Sequence, residues 1–172
     1  MTDIDTFTPH TVYTIYIVAT PEKVWQALTT AEFSRKYFSG FAVEVDERIG
    51  GRFILRAPDG SEHIGGEVLA CDKPKRLSVT FNVNWPGLVE ALGQTLLTYE
   101  IEQAGDAVRL TMTEAGERPI DEDIRSGGAA GWPAILSSLK SLLETGSAPT
   151  IQMEPPAKML AALKRLGVKL PG

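Results

Sequence analysis

The sequence is poor in the residues from which metal centres and many catalytic sites are built: one cysteine, Cys71, and two histidines, His10 and His63, in 172 residues. A single thiol excludes an internal disulfide and any thiol-rich metal site. No HExxH, CxxC or EF-hand spacing occurs, so neither a metal nor another cofactor is expected. The phosphate-cradling signatures GxGxxG and the P-loop are missing as well. Gly50-Gly51, Gly65-Gly66 and Gly127-Gly128 lack their strand-to-helix context and read as turns or bulges. There is no GxSxG nucleophile elbow. Apolar runs fall far short of the ~18 residues that a membrane span needs. The first residues, MTDIDTFTPH, are acidic where a signal peptide would be basic, so a cytoplasmic location is expected. Basic residues are outnumbered, 17 against 22 acidic, for a net charge of -5. That balance opposes nucleic-acid binding, which needs clustered Lys and Arg against phosphate.

What is present suits one globular domain over residues 1–146. Hydrophobic residues make up 43% of the chain and are spread along it, and a chain this long can enclose a substantial core. From Ser147 onward the charge reverses, with Lys158, Lys164, Arg165 and Lys169 against Glu154 alone. Residues 147–172 therefore form a distinct basic tail. It consists of a proline-spaced linker (APTIQMEPP) and a short amphipathic helix striped with Leu160 and Leu163, extended by Met159 and Leu166. Such a helix is marginal alone, so it docks on its own domain or on a partner.

Periodicity places the elements. VYTIYIV (12–18) reads as a strand, and Thr20-Pro21 supplies a cap and a first-turn proline for the helix of PEKVWQAL. Thr30 opens a second short helix through Phe33 and Tyr37. The period then changes to two. Phe41, Val43 and Val45 lead through Gly50-Gly51 into RFILR, a hairpin. Alternation continues in Leu77, Val79, Phe81, Val83 and Trp85, then in Leu97, Tyr99 and Ile101, then in Val108, Leu110 and Met112. Such alternation describes a one-sided antiparallel meander, with Ser78 and Thr80 on the wet face. A one-sided sheet needs a cover. Trp132, Ile135, Leu136, Leu139, Leu142 and Leu143 supply it on a long helix predicted to begin just before Pro133 and to stop at Gly146.

The order of these elements, with TPEKVWQALT (20–29), Tyr37-Phe38, Gly50-Gly51-Arg52-Phe53, Asp59-Gly60, Gly66-Glu67-Val68, the Lys73-Pro74-Lys75-Arg76-Leu77 bend and Gly131-Trp132, resembles START-like SRPBCC proteins. Within that superfamily it is most similar to bacterial relatives of the activator of the ninety-kilodalton heat-shock protein ATPase. The resemblance covers about Val12 to Thr145 and implies an α+β helix-grip fold, a curved antiparallel sheet wrapped around the C-terminal helix. It also implies a cavity between sheet and helix for an apolar small molecule of the lipid, sterol or polyphenol class. Lipid carriers, hormone receptors, aromatases and chaperone regulators share this fold, so fold alone does not decide function. The chaperone activators carry an additional N-terminal domain, and nothing similar precedes Val12, so ATPase activation is not expected.

Strand parity turns Phe53, Leu55, Val79, Phe81, Val83, Leu97, Tyr99 and Met112 inward, facing Trp132, Ile135, Leu136 and Leu139. A filled core and a ligand cavity use the same residue types, and parity alone leaves the two open; the resemblance favours a cavity. Tyr99 is the polar group placed to orient a ligand, or else it satisfies its hydroxyl locally. NWPGLVEALGQ (84–94), with Trp85, Leu88, Val89 and Leu92 between glycines, suits a portal or an ordinary capping turn, and Phe38 and Phe41 suit its opposite lip or simple packing in the core. His63 is expected to point outward opposite Ile64, His10 to lie on the surface, and the acidic run 114–123 to be a solvated loop. These readings favour noncatalytic ligand binding. The alternatives are a protein-interaction module with a chaperone or regulator partner, and a cyclase- or aromatase-like enzyme.

Overall fold

Local sequence explains where each element starts and stops. In the computed structural model, which describes residues 2–171, a single 3-10 turn (Ile4–Thr6) precedes strand β1 (Thr8–Ile17). Helix α1 (Pro21–Thr29) opens with Pro21 in its first turn, and Thr20 Oγ1 accepts a hydrogen bond from the Lys23 amide at 3.2 Å. Helix α2 (Ala31–Tyr37) follows at once, but the Thr30 hydroxyl does not cap it. It donates back to the Gln26 carbonyl at 2.8 Å and closes α1 instead.

The strands β2 (Ala42–Val45), β3 (Arg52–Arg56), β4 (Glu62–Asp72), β5 (Arg76–Thr80), β6 (Asn82–Val83), β7 (Thr95–Ala104) and β8 (Ala107–Gly116) come next, with a short helix α3 (Leu88–Leu92) between β6 and β7. They form one antiparallel sheet in the order β1-β8-β7-β5-β4-β3-β2, and β6 pairs with β4. The sheet curls around helix α4 (Glu122–Thr145), the α+β helix-grip arrangement. Trp132, Ile135, Leu136, Leu139 and Leu142 of α4 are buried against Phe53, Leu55, Val79, Leu97, Tyr99, Leu110 and Met112 of the sheet. A second short helix, α5 (Ala157–Arg165), packs on α4.

Three expectations are corrected. The alternation from Leu77 to Trp85 is not one strand, because it breaks at Phe81. The Phe81 amide donates to the Thr95 carbonyl at 2.8 Å, whereas Asn82 and Val83 pair with Gly65 and Ile64 of β4. The break is sharp because Gly66 presents no Cβ to the Thr80 carbonyl, which lies against it. Period-two patterning survives such a kink, so the sequence does not reveal it.

The face carrying Ser78 and Thr80 is not wet. Phe7 and Ile4 fold over it onto Leu69, Leu96 and Ala115, and both hydroxyl residues are buried with partners. Ser78 and Thr98 share a hydrogen bond of 2.8 Å, and Thr80 Oγ1 accepts from the Glu67 amide at 2.8 Å.

Helix α4 begins at Glu122, capped by Asp121, whose carboxylate accepts from the Asp123 amide at 2.8 Å. Pro133 therefore lies in the helix interior and Gly127-Gly128 in its first half, neither turn nor bulge. The proline removes the donor that would reach the Ala129 carbonyl. Ala129 and Pro133 both face solvent, which leaves that carbonyl exposed, and the Ser137 hydroxyl donates to the Pro133 carbonyl at 2.7 Å.

Leu139 is fully enclosed between the helix and the concave face of the sheet. Leu139→Ala is predicted to lower the unfolding free energy by about 2–5 kcal/mol, read by chemical denaturation. A loss within error would mean that this stripe does not carry the core.

Candidate functional site

The two halves of α4 meet the sheet differently. Its second half fills the space beneath with Leu136, Leu139 and Leu142. Its first half presents Gly127, Gly128 and Gly131, and there a half-open cavity of about 550 Å³ remains. An added Cβ at Gly131 would meet nothing within 4 Å. Glycine in a helix interior costs about 1 kcal/mol relative to alanine, so three of them must be held by tertiary contacts. Two are close-approach positions: Gly127 lies against the Met159 thioether of α5, and a Cβ at Gly128 would stand 2.7 Å from Glu114 Oε1.

The walls are largely apolar. Phe81, Val83 and Leu97 face in from the sheet side, Ile124, Trp132 and Ile135 from α4, and Trp85, Leu88, Val89 and Leu92 from the α3 segment. The tail completes the enclosure. Met153, Met159 and Leu163 line the cavity, Leu163 and Val168 pack on Leu92, and the Lys169 amide donates to the Pro86 carbonyl at 2.9 Å. Leu166, expected in the apolar stripe, is 50% exposed, and Ala162 occupies the buried face in its place.

The predicted cavity residues divide. Phe81, Val83, Leu97, Trp132 and Ile135 line the open space, while Phe53, Leu55, Val79, Tyr99, Met112, Leu136 and Leu139 lie in the filled core behind it. Phe81 joins the two groups, its ring 5.8 Å from Phe53 and 5.8 Å from Trp132. Tyr99 is buried among apolar neighbours, and burial, with the Glu114 charge, holds its hydroxyl above the ordinary phenol range. It therefore lies outside the cavity lining. Of the predicted portal residues, Phe41, Trp85, Leu88, Val89 and Leu92 line the opening, whereas Phe38 stands behind it with its ring edge-on to Trp132 at 5.7 Å.

The polar side chains on the lining include four that the sequence reading did not place there. His63 does not point freely outward; it is half-buried against the Phe41 ring at 5.1 Å and lines the cavity, while Ile64 packs in the core. His10 lines it too. Burial holds both imidazoles below the ordinary histidine value, with the Arg125 charge adding at His10. Glu114 is no part of a solvated loop. It ends the inward row of β8, its Oε1 accepting from Trp132 Nε1 at 2.8 Å and its Oε2 from the Tyr13 hydroxyl at 3.4 Å. Burial raises its carboxyl above the ordinary value of 4.5, against the opposing effect of those two hydrogen bonds. Arg125 is the fourth.

Two of these were within reach of parity. Glu114 continues the alternation of Leu110 and Met112. Arg125 stands two helical turns before Trp132, a relation visible only once α4 is known to extend past Pro133. The apolar stripe of the tail signalled that it docks, but not that it docks on this cavity. Among the described residues no group of three His, Cys, Asp or Glu side chains is arranged to hold a metal, and no helix is long and apolar enough to cross a membrane.

The raised carboxyl of Glu114 makes stability depend on pH. A folded-state value above the unfolded one means that ionising Glu114 costs the native state more than the unfolded chain, so wild-type stability declines as pH rises through that interval. Gln at this position does not titrate and still accepts from Trp132. The melting temperature of Glu114→Gln minus that of the wild type is predicted to grow from about pH 4 to about pH 8. A difference independent of pH would show that this carboxyl is not perturbed.

Comparison with known proteins agrees with this fold. The solved structure of MLL2253 from Mesorhizobium loti superposes with a TM-score of 0.63 at 27% identity, covering 77% of this chain and 96% of that one. The Aha1 dimer from Colwellia psychrerythraea gives 0.64 at 23% identity over 78% and 96%. CalU16 from Micromonospora echinospora gives 0.62 at 19% identity over 91% and 82%. No curated protein matches the sequence. The family model described as activator of Hsp90 ATPase homolog 1-like protein matches residues 18–144, and the chain belongs to that family.

Proposed function

We propose that the protein holds a small hydrophobic or amphipathic molecule in the cavity beneath the first half of α4, without chemical turnover. The observation that carries this reading is the open, apolar-walled volume of about 550 Å³ where α4 substitutes glycine for the leucines of its second half. Natural small-molecule sites fall in the range of roughly 300–1,000 Å³ and are lined, as here, by apolar and aromatic side chains with few polar groups. Affinity comes from burial, and each enclosed methylene contributes about 0.8 kcal/mol. Trp85 and Trp132 stand at the mouth and on the wall, so occupancy changes their surroundings, whereas Trp25 lies in the core.

A protein-interaction role is the second reading. The tail does not favour it, since its apolar stripe is spent on α4 and Leu92. Val12, Tyr16 and Val18 do, exposed along the β1 edge of the sheet.

Tryptophan fluorescence titrated with a series of straight-chain alcohols tests the two together. Saturable binding is expected, tightening on the order of tenfold for each two added methylenes until the cavity is full. Gly131→Leu should abolish the response while raising helix stability by about 1 kcal/mol, because its side chain enters open space. Silent tryptophans throughout the series, with a partner retained by immobilised protein and lost on Tyr16→Lys, would overturn the binding reading in favour of the second.

A further inference from the structure

The cavity wall is largely apolar, and among its polar groups Arg125, in the first turn of α4, is of a particular kind. Arg125 Nε is buried and has no hydrogen-bond partner, the one such side-chain nitrogen or oxygen among the described residues. A guanidinium is a permanent cation with five donors, and leaving one buried and unmet costs on the order of 1–3 kcal/mol or more. The nearby acids do not supply the missing acceptor. Both oxygens of Glu114 are engaged by Trp132 and Tyr13, and among the described residues no carboxylate forms an ion pair with Arg125. His10, close enough to feel the Arg125 charge, is itself held toward its neutral form and bonded through Nδ1 to the Thr11 hydroxyl at 2.9 Å. The Arg125 Nε donor is therefore unmet, beside the cavity and one helical turn from Gly128, where α4 has no side chain to intervene.

We infer that Arg125 is the head-group anchor of this cavity, and that the molecule held there is a monoanionic amphiphile whose carboxylate meets the Arg125 guanidinium while its apolar body lies along Phe81, Leu97 and Trp132. The inference rests on the reading that the cavity binds a ligand and narrows it to one chemical class. A carboxylate offers a guanidinium two acceptors in a plane, able to meet the unpartnered Nε and a terminal nitrogen together, whereas an alcohol offers a single weaker one. Esters and neutral sterols offer a neutral acceptor without the charge that makes a guanidinium–carboxylate pair strong.

Octanoate and octanol share a chain and differ at the head, so the pair isolates the anchor from the chamber. Calorimetric titration of the full-length protein should show octanoate binding at least about tenfold more tightly than octanol. In Arg125→Leu that preference should vanish while octanol affinity stays within about twofold. Arg125→Lys, which keeps the charge but not the fork, should retain part of it. Equal affinities in the wild type, or a preference undiminished in Arg125→Leu, would overturn the anchor and leave the apolar cavity standing. Binding of neither compound would overturn both.

Discussion

Everything distinctive in this molecule depends on how the first half of α4 is held over the sheet without side chains to hold it. Gly127, Gly128, Gly131 and Pro133 are poor helix formers, and together they would make an isolated segment of this sequence unstable as a helix. A local cap and two tertiary contacts supply what propensity does not. Asp121 caps the first turn, α5 lies against Gly127 through Met159, and Trp132 is tied by its indole N–H to Glu114 on β8. The last is the most economical, because Glu114 also receives Tyr13 from β1, so a single buried carboxylate fastens helix to sheet across two strands. Gly128 is the condition for it: a Cβ there would stand 2.7 Å from Glu114 Oε1 and crowd the carboxylate.

The cavity is then a consequence of the same composition. Where α4 carries leucine it fills the concave side of the sheet, and where it carries glycine it leaves the space empty. The tail turns that gap into an enclosure, since Met153, Met159 and Leu163 close a side that sheet and helix leave open, and Val168 and Lys169 tie the end of the chain to the α3 segment. The basic tail is thus part of the site's wall.

Much of this was legible in residues and spacing, and the failures share a cause. Period-two alternation identified the strands and the inward side of β7 and β8, and the leucine stripe identified the covering helix, because burial on one face leaves a regular trace. Alternation is blind to bends, however, so the kink at Phe81 and the cover laid by Phe7 over Ser78 and Thr80 left no mark. The start of α4 was misplaced because Pro133 and the glycine pair obey local rules for ends and turns, and tertiary contacts overrode those rules. That error also hid Arg125, and with the tail unplaced the inward residues spread over the whole concave face. Phe53, Val79, Tyr99 and Leu139 consequently belong to the filled core, and the space lies nearer the start of the helix.

The central claim, that the glycine half of α4 roofs a space occupied by a ligand, is tested most directly by isotope-filtered NOEs between an unlabelled amphiphile and methyl-labelled protein. Contacts are expected to the methyls of Val83, Leu97, Ile124 and Ile135, all on the cavity wall, and none to those of Leu55, Val79 or Leu139 in the packed core. Contacts confined to the exposed methyls of Val12 and Val18, or none to the cavity wall, would contradict it.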